Sequence, residues 1–316
     1  MQRRDFLSAL VAAAIAGAWP PGARAGEAKE IRIGYQKAAG ILIAVKQRET
    51  LENAFKARGV GVKWVEFQFG PPILEAIATG NVDFGFTGDA PPIFAQAAGA
   101  NIVYVAALPK NSIEGIVVHP DSPIRTIADL KGKTIGLAKA SSAHNTTVAA
   151  LEKIGLSFGD VKPVYLPPAD GVAAFARGSI DAWAVWDPYL ALAEKGGARI
   201  IALNTEVESP SQFFLASTSF AQNNPQLLTQ LIDVLAKELE WARGHRAELS
   251  QAIHDASGVD YEAVLKAEQR ASLAVIPLDA DIIANQQASA DRFFRLGLIP
   301  KQIAVRDIVW KWTPSS

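Results

Sequence analysis

Short apolar strands alternate with helices along most of this chain, and this alternation limits its fold more than any other feature. A strand at 31–34 is followed by a helix at about 40–57 and a strand at 61–69, and the pattern continues to about residue 203. This order predicts an α/β fold with parallel strands. Ligands of such sheets bind beyond the carboxyl ends of the strands, so the loops there are the first candidates for a site.

Two loops that follow strands of the first half carry polar side chains. Gln36 follows the first strand, and Thr87, Gly88 and Asp89 follow the third. Both loops lead into the first turn of a helix, where backbone N–H groups have no partner within the helix. Each residue also has a purely structural interpretation: Gln36 as a loop amide, Gly88 as a glycine at positive φ and Asp89 as a helix cap.

The strongest candidate for an anion site is the loop between a strand at 133–138 and a helix that Gly155 ends. Ser141 and Ser142 lie where the strand gives way to the helix. The first amides of a helix lack partners and the helix dipole places partial positive charge there, so two hydroxyls beside them can bind an anion. The alternative is a serine N-cap, which is the usual role of an isolated serine at such a position.

A strand at 182–186 ends in Trp186, and Asp187 follows it. Alternation along the strand places Trp183 and Trp186 on opposite faces, so one belongs to the core, and Trp186 at the carboxyl end is expected near the cleft. Asp187 precedes Pro188, and this pair has the form of an N-cap followed by a first helical residue, which is its structural interpretation.

The alternation divides the chain into two α/β units and a helical tail. We expect residues 26–113 to form the first part of lobe 1 and residues 114–216 to form lobe 2. Residues 217–316 are expected to fold back as a helical segment that completes lobe 1. Two lobes joined by two crossings enclose a cleft, and closure of such lobes on a ligand is a known hinge mechanism.

Residues 1–25 have the form of an export signal. Arginines at 3–4 precede an apolar stretch at 6–18, and Ala-Arg-Ala at 23–25 fits a cleavage site. The stretch is shorter than the ~20 residues that a membrane span needs. The arginines resemble a twin-arginine signal, but Gln2 is not the Ser or Thr of such signals, so the general secretory route stays open. Without any cysteine the chain has no lipid-modified anchor, and we predict a periplasmic protein that is cleaved after about Ala25.

Charge and motifs argue against several other classes of function. The formal net charge is −1, so we expect no nucleic-acid partner. The four histidines are scattered and no cysteine is present, so neither a metal nor a cofactor is expected. Ser141 and His144 lie within one helical turn, but no third group orients them. A lyase or dehydratase on the same fold is therefore only the remote alternative.

Four segments resemble the aliphatic sulfonate-binding proteins of bacterial ABC importers. They are 31–37 (IRIGYQK), 87–100 (TGDAPPIFAQAAGA), 141–145 (SSAHN) and 181–189 (DAWAVWDPY). The resemblance covers nearly the whole chain after the signal, and it implies a two-lobe, type II-like periplasmic binding fold with the ligand cleft between the lobes. It also implies a small alkanesulfonate anion and a transmembrane ABC permease as partners, and we expect a monomer.

The resemblance assigns one wall of the cleft to each lobe. Carried over position by position, the implied ligand-binding residues are Gln36, Thr87, Gly88, Asp89, Ser141, Ser142, His144, Asn145, Trp186 and Asp187. The family usually has glycine where this chain has Ala140, and often serine where it has Ala143. This chain therefore has one hydroxyl fewer beside the anion.

A sulfonate is a permanent anion whose three oxygens only accept hydrogen bonds, so its site needs several donors and an apolar wall for the carbon chain. We expect the donors to be the Ser141, Ser142 and Thr87 hydroxyls, the Gly88 amide and the first amides of the following helix. Trp186 is expected to pack against the carbon chain of the ligand.

Acidic groups beside the sulfonate would repel it. Asp89 and Asp187 are therefore expected to face away from the oxygens. His144 would donate to the anion if it were protonated, but we expect it to be neutral because a helix N-terminus lowers its pKa. Its alternative role is that of a packing residue. The function that the resemblance implies is capture of aliphatic sulfonates for sulfur acquisition. The near alternative is the same fold binding taurine, nitrate or another small anion, and a ligand with an amino group would need an acidic partner such as Asp170 or Asp187.

Overall fold

A computed structural model of the chain describes residues 28–38, 40–109, 113–207 and 210–314. The expected export signal at 1–25 therefore lies outside the described residues. The strands are β1 (Glu30–Gln36), β2 (Gly61–Phe67), β3 (Phe84–Thr87), β4 (Ile102–Leu108), β5 (Glu114–Val118), β6 (Thr134–Leu137), β7 (Lys162–Tyr165), β8 (Ala182–Trp186), β9 (Arg199–Leu203) and β10 (Gln212–Ser217).

Helices cover both sheets. They are α1 (Ile41–Gln47), α2 (Thr50–Phe55), α3 (Gly70–Ala78), α4 (Ala90–Ala97), α5 (Ser142–Lys153), α6 (Pro168–Ala176), α7 (Tyr189–Lys195), α8 (Asn204–Val207), α9 (Thr218–Asn223), α10 (Pro225–Gly244), α11 (Arg246–Ser257), α12 (Tyr261–Arg270) and α13 (Ala280–Arg295). Within the described ranges, none of these helices has both the length and the apolar character that crossing a membrane requires.

The strands form two sheets of the same design. The first has the order β2-β1-β3-β10-β4 and the second has the order β7-β6-β8-β5-β9. In each sheet the strands before the fourth place are parallel, and the fourth strand, β10 or β5, runs antiparallel to both neighbours. The expected α/β fold is confirmed, with one antiparallel strand in each sheet.

Strand β10 corrects the expected boundary of lobe 2. Residues 114–216 were expected to form that lobe, but β10 pairs with β3 and β4 of the first sheet. The ring of Phe214 on β10 stacks on that of Phe84 and packs at a tilt against that of Phe86, with ring centroids 5.7 and 4.9 Å apart. Chain order alone could not place β10, because partners on both sides decide which sheet a strand joins. We propose that lobe 2 spans 113–207 and that lobe 1 combines 28–109 with 210–314.

The helical tail packs against the first sheet. Leu228, Leu231 and Leu235 of α10 are fully buried and belong to the same cluster as Ile31, Phe84 and Phe214 of the sheet. They recur every three or four residues, so they lie on one face of the helix. Phe293 of α13 is buried in a second cluster on the same lobe. The tail thus supplies one side of the lobe 1 core.

A matched pair of phenylalanines tests this packing. We expect Phe214→Ala to lower the free energy of unfolding by about 3–5 kcal/mol, because a fully buried ring leaves a cavity. Phe294→Ala is the control, since its side chain is 42% exposed and such positions usually change stability by less than about 0.5 kcal/mol. Urea unfolding followed by circular dichroism measures both, and equal losses would contradict the placement of β10.

Candidate functional site

A cavity of about 110 Å³ lies between the two lobes. A single water needs about 10–15 Å³ of such space, so the cavity can hold a small molecule of several non-hydrogen atoms. Residues of the first sheet, of the second sheet and of the tail all face it. The lining residues that matter below are Gln36, Phe86, Gly88, Leu108, Ser141, Ser142, Trp186, Asp187, Leu239, Glu268 and Leu273.

The N-terminus of α5 forms the lobe 2 wall. Ser141 is its N-cap: the hydroxyl donates to the carbonyl of Ala138 at 2.7 Å and accepts from the N–H of His144 at 3.4 Å. Among the described residues, the Ser142 hydroxyl and the backbone N–H groups of Ser142 and Ala143 have no hydrogen-bond partner. Ser141 therefore builds the helix start, and the unused donors belong to Ser142 and Ala143.

Ala140 lies in a strained turn before these serines. Its φ is +58°, in the left-handed region that disfavours residues with a Cβ atom. This strained turn directs the chain from β6 into α5, so the turn and the unused donors of Ser142 and Ala143 are parts of one local structure.

Gly88 lies directly opposite Ser142 across the cleft. A Cβ atom at Gly88 would lie 2.7 Å from the Ser142 Oγ and 2.8 Å from the Ser142 Cβ. Gly88 is not among the glycines at positive φ, so turn geometry does not explain it. Close approach of the two lobes does. The two loops that the sequence singled out thus meet at one point.

The side chains of Thr87 and Gln36 donate their hydrogen bonds to the backbone near Gly88, not into the cavity. The Thr87 hydroxyl is fully buried and donates to the carbonyl of Gly88 at 3.0 Å, so the structure does not place it among the cavity residues. The Gln36 amide lines the cavity and donates to the carbonyl of Phe86 at 3.1 Å. Both side chains fix the path of the β3 end.

Asp89 and Asn145 join the lobes beside the cavity rather than lining it. The Asn145 Nδ2 donates to the Asp89 carboxylate at 2.5 Å, and Arg292 of α13 donates to the Asn145 Oδ1 at 3.1 Å. Gln286 donates to the backbone carbonyl of Asp89 at 2.6 Å. The Asp89 carboxylate is therefore turned toward Asn145, as expected for a group that should not face an anion.

Asp187 lines the cavity but is paired. Arg270 of α12 donates two hydrogen bonds of 2.6 Å to its carboxylate, and the N–H of Ala191 donates a third at 3.1 Å. Burial raises the pKa of Asp187, and the hydrogen bonds from Arg270 oppose that shift. The guanidinium compensates the charge of Asp187, so this residue holds the lobes together and repels an anion little.

His144 is buried in an aromatic cluster and does not line the cavity. Its ring lies 4.7 Å from that of Phe158 and 5.9 Å from that of Phe293. Burial, together with the charge of Lys139, lowers its pKa to about 4, so it is neutral at pH 7. Because the N–H of Ala140 donates to Nδ1 at 3.3 Å, the proton is on Nε2. The expected neutral form is found, but burial is its main cause.

The first sheet, the second sheet and the helical tail all contribute apolar side chains to one wall of the cavity. Trp186 lines the cavity, whereas Trp183 is 2% exposed and lies in the core, as the alternation along β8 predicts. Phe86 and the tail residues Leu239 and Leu273 complete the wall. Sequence reasoning missed the tail residues, because an amphipathic helix does not reveal which of its buried residues border a cavity.

Glu268 is the other lining residue that the sequence did not single out. A signal was present: Glu268 falls on the apolar stripe of α12 with Val264 and Ala267, where a carboxylate is unusual. Within the described residues, no group of three or more histidine, aspartate or glutamate side chains is placed to hold a metal ion.

Comparison with known proteins places these features in a family. The model of the NMT1/THI5-like family matches residues 52–248. A protein of Escherichia coli K12 whose name assigns it to the aliphatic sulfonates-binding proteins is 38% identical over 286 residues, which cover 90% of this chain and 89% of that protein. The Escherichia coli taurine-binding periplasmic protein is 29% identical over 210 residues, covering 64% of this chain and 63% of that protein.

Solved structures agree with this assignment. The alkanesulfonate-binding protein SsuA from Xanthomonas axonopodis pv. citri, bound to MOPS, superposes with a TM-score of 0.85 and is 41% identical, covering 90% of this chain and 99% of that protein. The periplasmic aliphatic sulphonate-binding protein SsuA from Escherichia coli superposes with a TM-score of 0.81 and is 37% identical, covering 91% of this chain and 94% of that protein. The desulfurization enzyme DszB superposes with a TM-score of 0.62 over 90% of this chain and 97% of that protein. It is only 19% identical, so the likeness shows a shared fold alone. This chain belongs to the NMT1/THI5-like family and, within it, to the aliphatic sulfonate-binding proteins of bacterial ABC importers.

Proposed function

We propose that this protein is a periplasmic receptor that captures aliphatic sulfonates and delivers them to an ABC permease for sulfur acquisition. The observation that supports this most is the contact of Gly88 with Ser142 beside the donors of α5 that have no partner. The proposal includes export by the signal at 1–25, cleavage after about Ala25 and action as a monomer.

The donors match the chemistry of a sulfonate head group. The Ser142 hydroxyl, the amides of Ser142 and Ala143, and the amide of Gly88 would each donate to a sulfonate oxygen. The N-termini of α3, α4 and α5 all border the cavity through Gly70, Gly88 and Ser142. Their dipoles add positive potential where the anion would bind.

The remaining surface suits a carbon chain. Trp186, Phe86, Leu239 and Leu273 offer apolar contacts beyond the donors, and an apolar wall with a few convergent polar groups is typical of small-molecule sites. The relative bound to MOPS is a case of a sulfonate with a bulky tail in this fold. The carbon chain of the ligand would therefore lie between lobe 2 and the C-terminal helices.

The same geometry supports binding rather than catalysis. Of the adjacent serines Ser141 and Ser142, Ser142 is the one whose hydroxyl is unused. The Nε2 of His144 has no hydrogen-bond partner and lies in the aromatic cluster instead of beside that hydroxyl. A nucleophile needs a base within hydrogen-bond reach, which this pair does not provide.

Thermal unfolding with added ligands tests the proposal. We expect 1-butanesulfonate and 1-hexanesulfonate, but not nitrate or sulfate, to raise the midpoint; a ligand at a hundred times its Kd adds roughly 2.7 kcal/mol to the free energy of unfolding. Sulfonate buffers must be left out. Mass spectrometry should recover the ligand unchanged, and a conversion product or a response to nitrate alone would contradict the proposal.

Adjacent serines provide a matched test of the anion site. Ser142→Ala should weaken 1-butanesulfonate binding by about tenfold or more at unchanged stability, because a hydrogen bond to a charged group is worth about 1.5–3 kcal/mol. Ser141→Ala should lower stability by about 0.5–2 kcal/mol through loss of the N-cap and should affect the Kd less. Calorimetric titration and urea unfolding measure the two effects, and the reverse pattern would show that Ser141 is the ligand donor.

The contact across the cleft can be tested by adding one methyl group. Gly88→Ala should weaken binding more than Ser142→Ala does, because the new Cβ would overlap Ser142 and keep the lobes apart. Adding Ser142→Gly to this variant should restore part of the lost affinity by making room. Gly159→Ala is the control, since its nearest neighbour would be the Ser157 Oγ at 3.6 Å. Normal affinity of Gly88→Ala would contradict the closed contact.

A further inference from the structure

A buried carboxyl group borders the cavity on the tail side. Glu268 is 8% exposed, lines the cavity, and its Oε2 has no hydrogen-bond partner among the described residues. A buried carboxylate oxygen without a partner is costly, so its retention calls for an explanation. Leu239, Ala267 and Leu273 of the tail also line the cavity, and their side chains offer it no donor.

We propose that Glu268 accepts a hydrogen bond from a protonated amine at the far end of the ligand, so that the site takes zwitterionic aminoalkanesulfonates as well as simple alkanesulfonates. This inference rests on the proposed function, since it takes the sulfonate to be held between Ser142 and Gly88. It adds a second polar subsite that determines which tails are preferred.

The other acidic groups near the cleft are engaged elsewhere. The Asp187 carboxylate is held by Arg270 at 2.6 Å, and Asp170 is exposed and does not line the cavity. Arg246 of α11 approaches Glu268 but donates to its backbone carbonyl and to that of Ala271, not to its carboxylate. Glu268 is thus the cavity carboxyl whose acceptor oxygen is available to a ligand.

The protonation of Glu268 can follow the ligand. Burial and the charge of Asp187 raise its pKa to about 7, and the charge of Arg246 opposes the shift. On α7, which packs against α12, Glu194 is bound by Arg270 at 2.9 Å and by Lys266 at 3.0 Å. An ammonium group beside Glu268 would lower its pKa and release a proton, whereas a simple alkanesulfonate would raise it and take a proton up.

Matched ligands test the inference. 2-Aminoethanesulfonate and 1-propanesulfonate have the same number of heavy atoms and differ only in an ammonium or a methyl end, and 3-aminopropanesulfonate and 1-butanesulfonate form a longer pair. Calorimetric titration of the full chain with Glu268→Gln should show about tenfold or greater loss of affinity for an aminosulfonate. Affinity for the matched alkanesulfonate should stay the same or improve. Glu262→Gln, an exposed position on the same helix, is the control.

Proton exchange gives a readout that a purely structural role would not change. Titrations of the wild type in imidazole and in cacodylate near pH 7 should show proton release with the aminosulfonate and uptake with the alkanesulfonate, and the preference for the amine should grow from pH 6 to pH 8. An unchanged preference in Glu268→Gln, or no proton release in the wild type, would overturn the inference. Failure of both ligand types to bind the wild type would instead overturn the proposed function.

Discussion

The contact between Gly88 and Ser142 is the constraint on which the rest of the site depends. It brings the end of β3 in lobe 1 to the start of α5 in lobe 2, with no room for a Cβ atom at Gly88. Only at this separation can amides from both lobes reach the same small anion. A single helix start offers few donors, whereas two facing starts would surround a sulfonate head group.

Polar contacts between the lobes surround this point on both sides of the cavity. On one side Arg270 bridges Asp187 and Glu194, and on the other Asn145 donates to Asp89 while Arg292 donates to Asn145. The Arg270–Asp187 pair is largely buried, with 24% and 15% of the side chains exposed, so it matters more than pairs in open solvent. These contacts compensate carboxylates that would otherwise repel an anionic ligand.

The sequence located the two facing loops because strand–helix alternation fixes where parallel strands end. Gly88, Ser142 and Trp186 could be singled out in this way, and each lines the cavity. Local pattern could not decide which hydroxyl caps a helix and which remains available, so Ser141 and Ser142 looked equivalent. Thr87 and His144 do not line the cavity, because packing, and not sequence position, directs a side chain toward a cavity or into a core.

Features that depend on contacts between distant parts of the chain could not be predicted from the sequence. The antiparallel β10 joins the first sheet through partners more than a hundred residues away. Glu268, Leu239 and Leu273 reach the cavity only because the tail helices dock on lobe 1. A carboxylate on an apolar helix stripe was a usable signal for Glu268, but the stripe alone does not show what it faces.

A crystal structure of the protein with bound 1-butanesulfonate tests the central claim most directly. Sulfonate oxygens should lie within about 3.2 Å of the Ser142 hydroxyl or amide and, at the same time, of the Gly88 amide, with the butyl chain against Trp186. A sulfonate bound to one lobe alone, or bound outside the cavity between Gly88 and Ser142, would contradict the claim that both lobes hold the anion together.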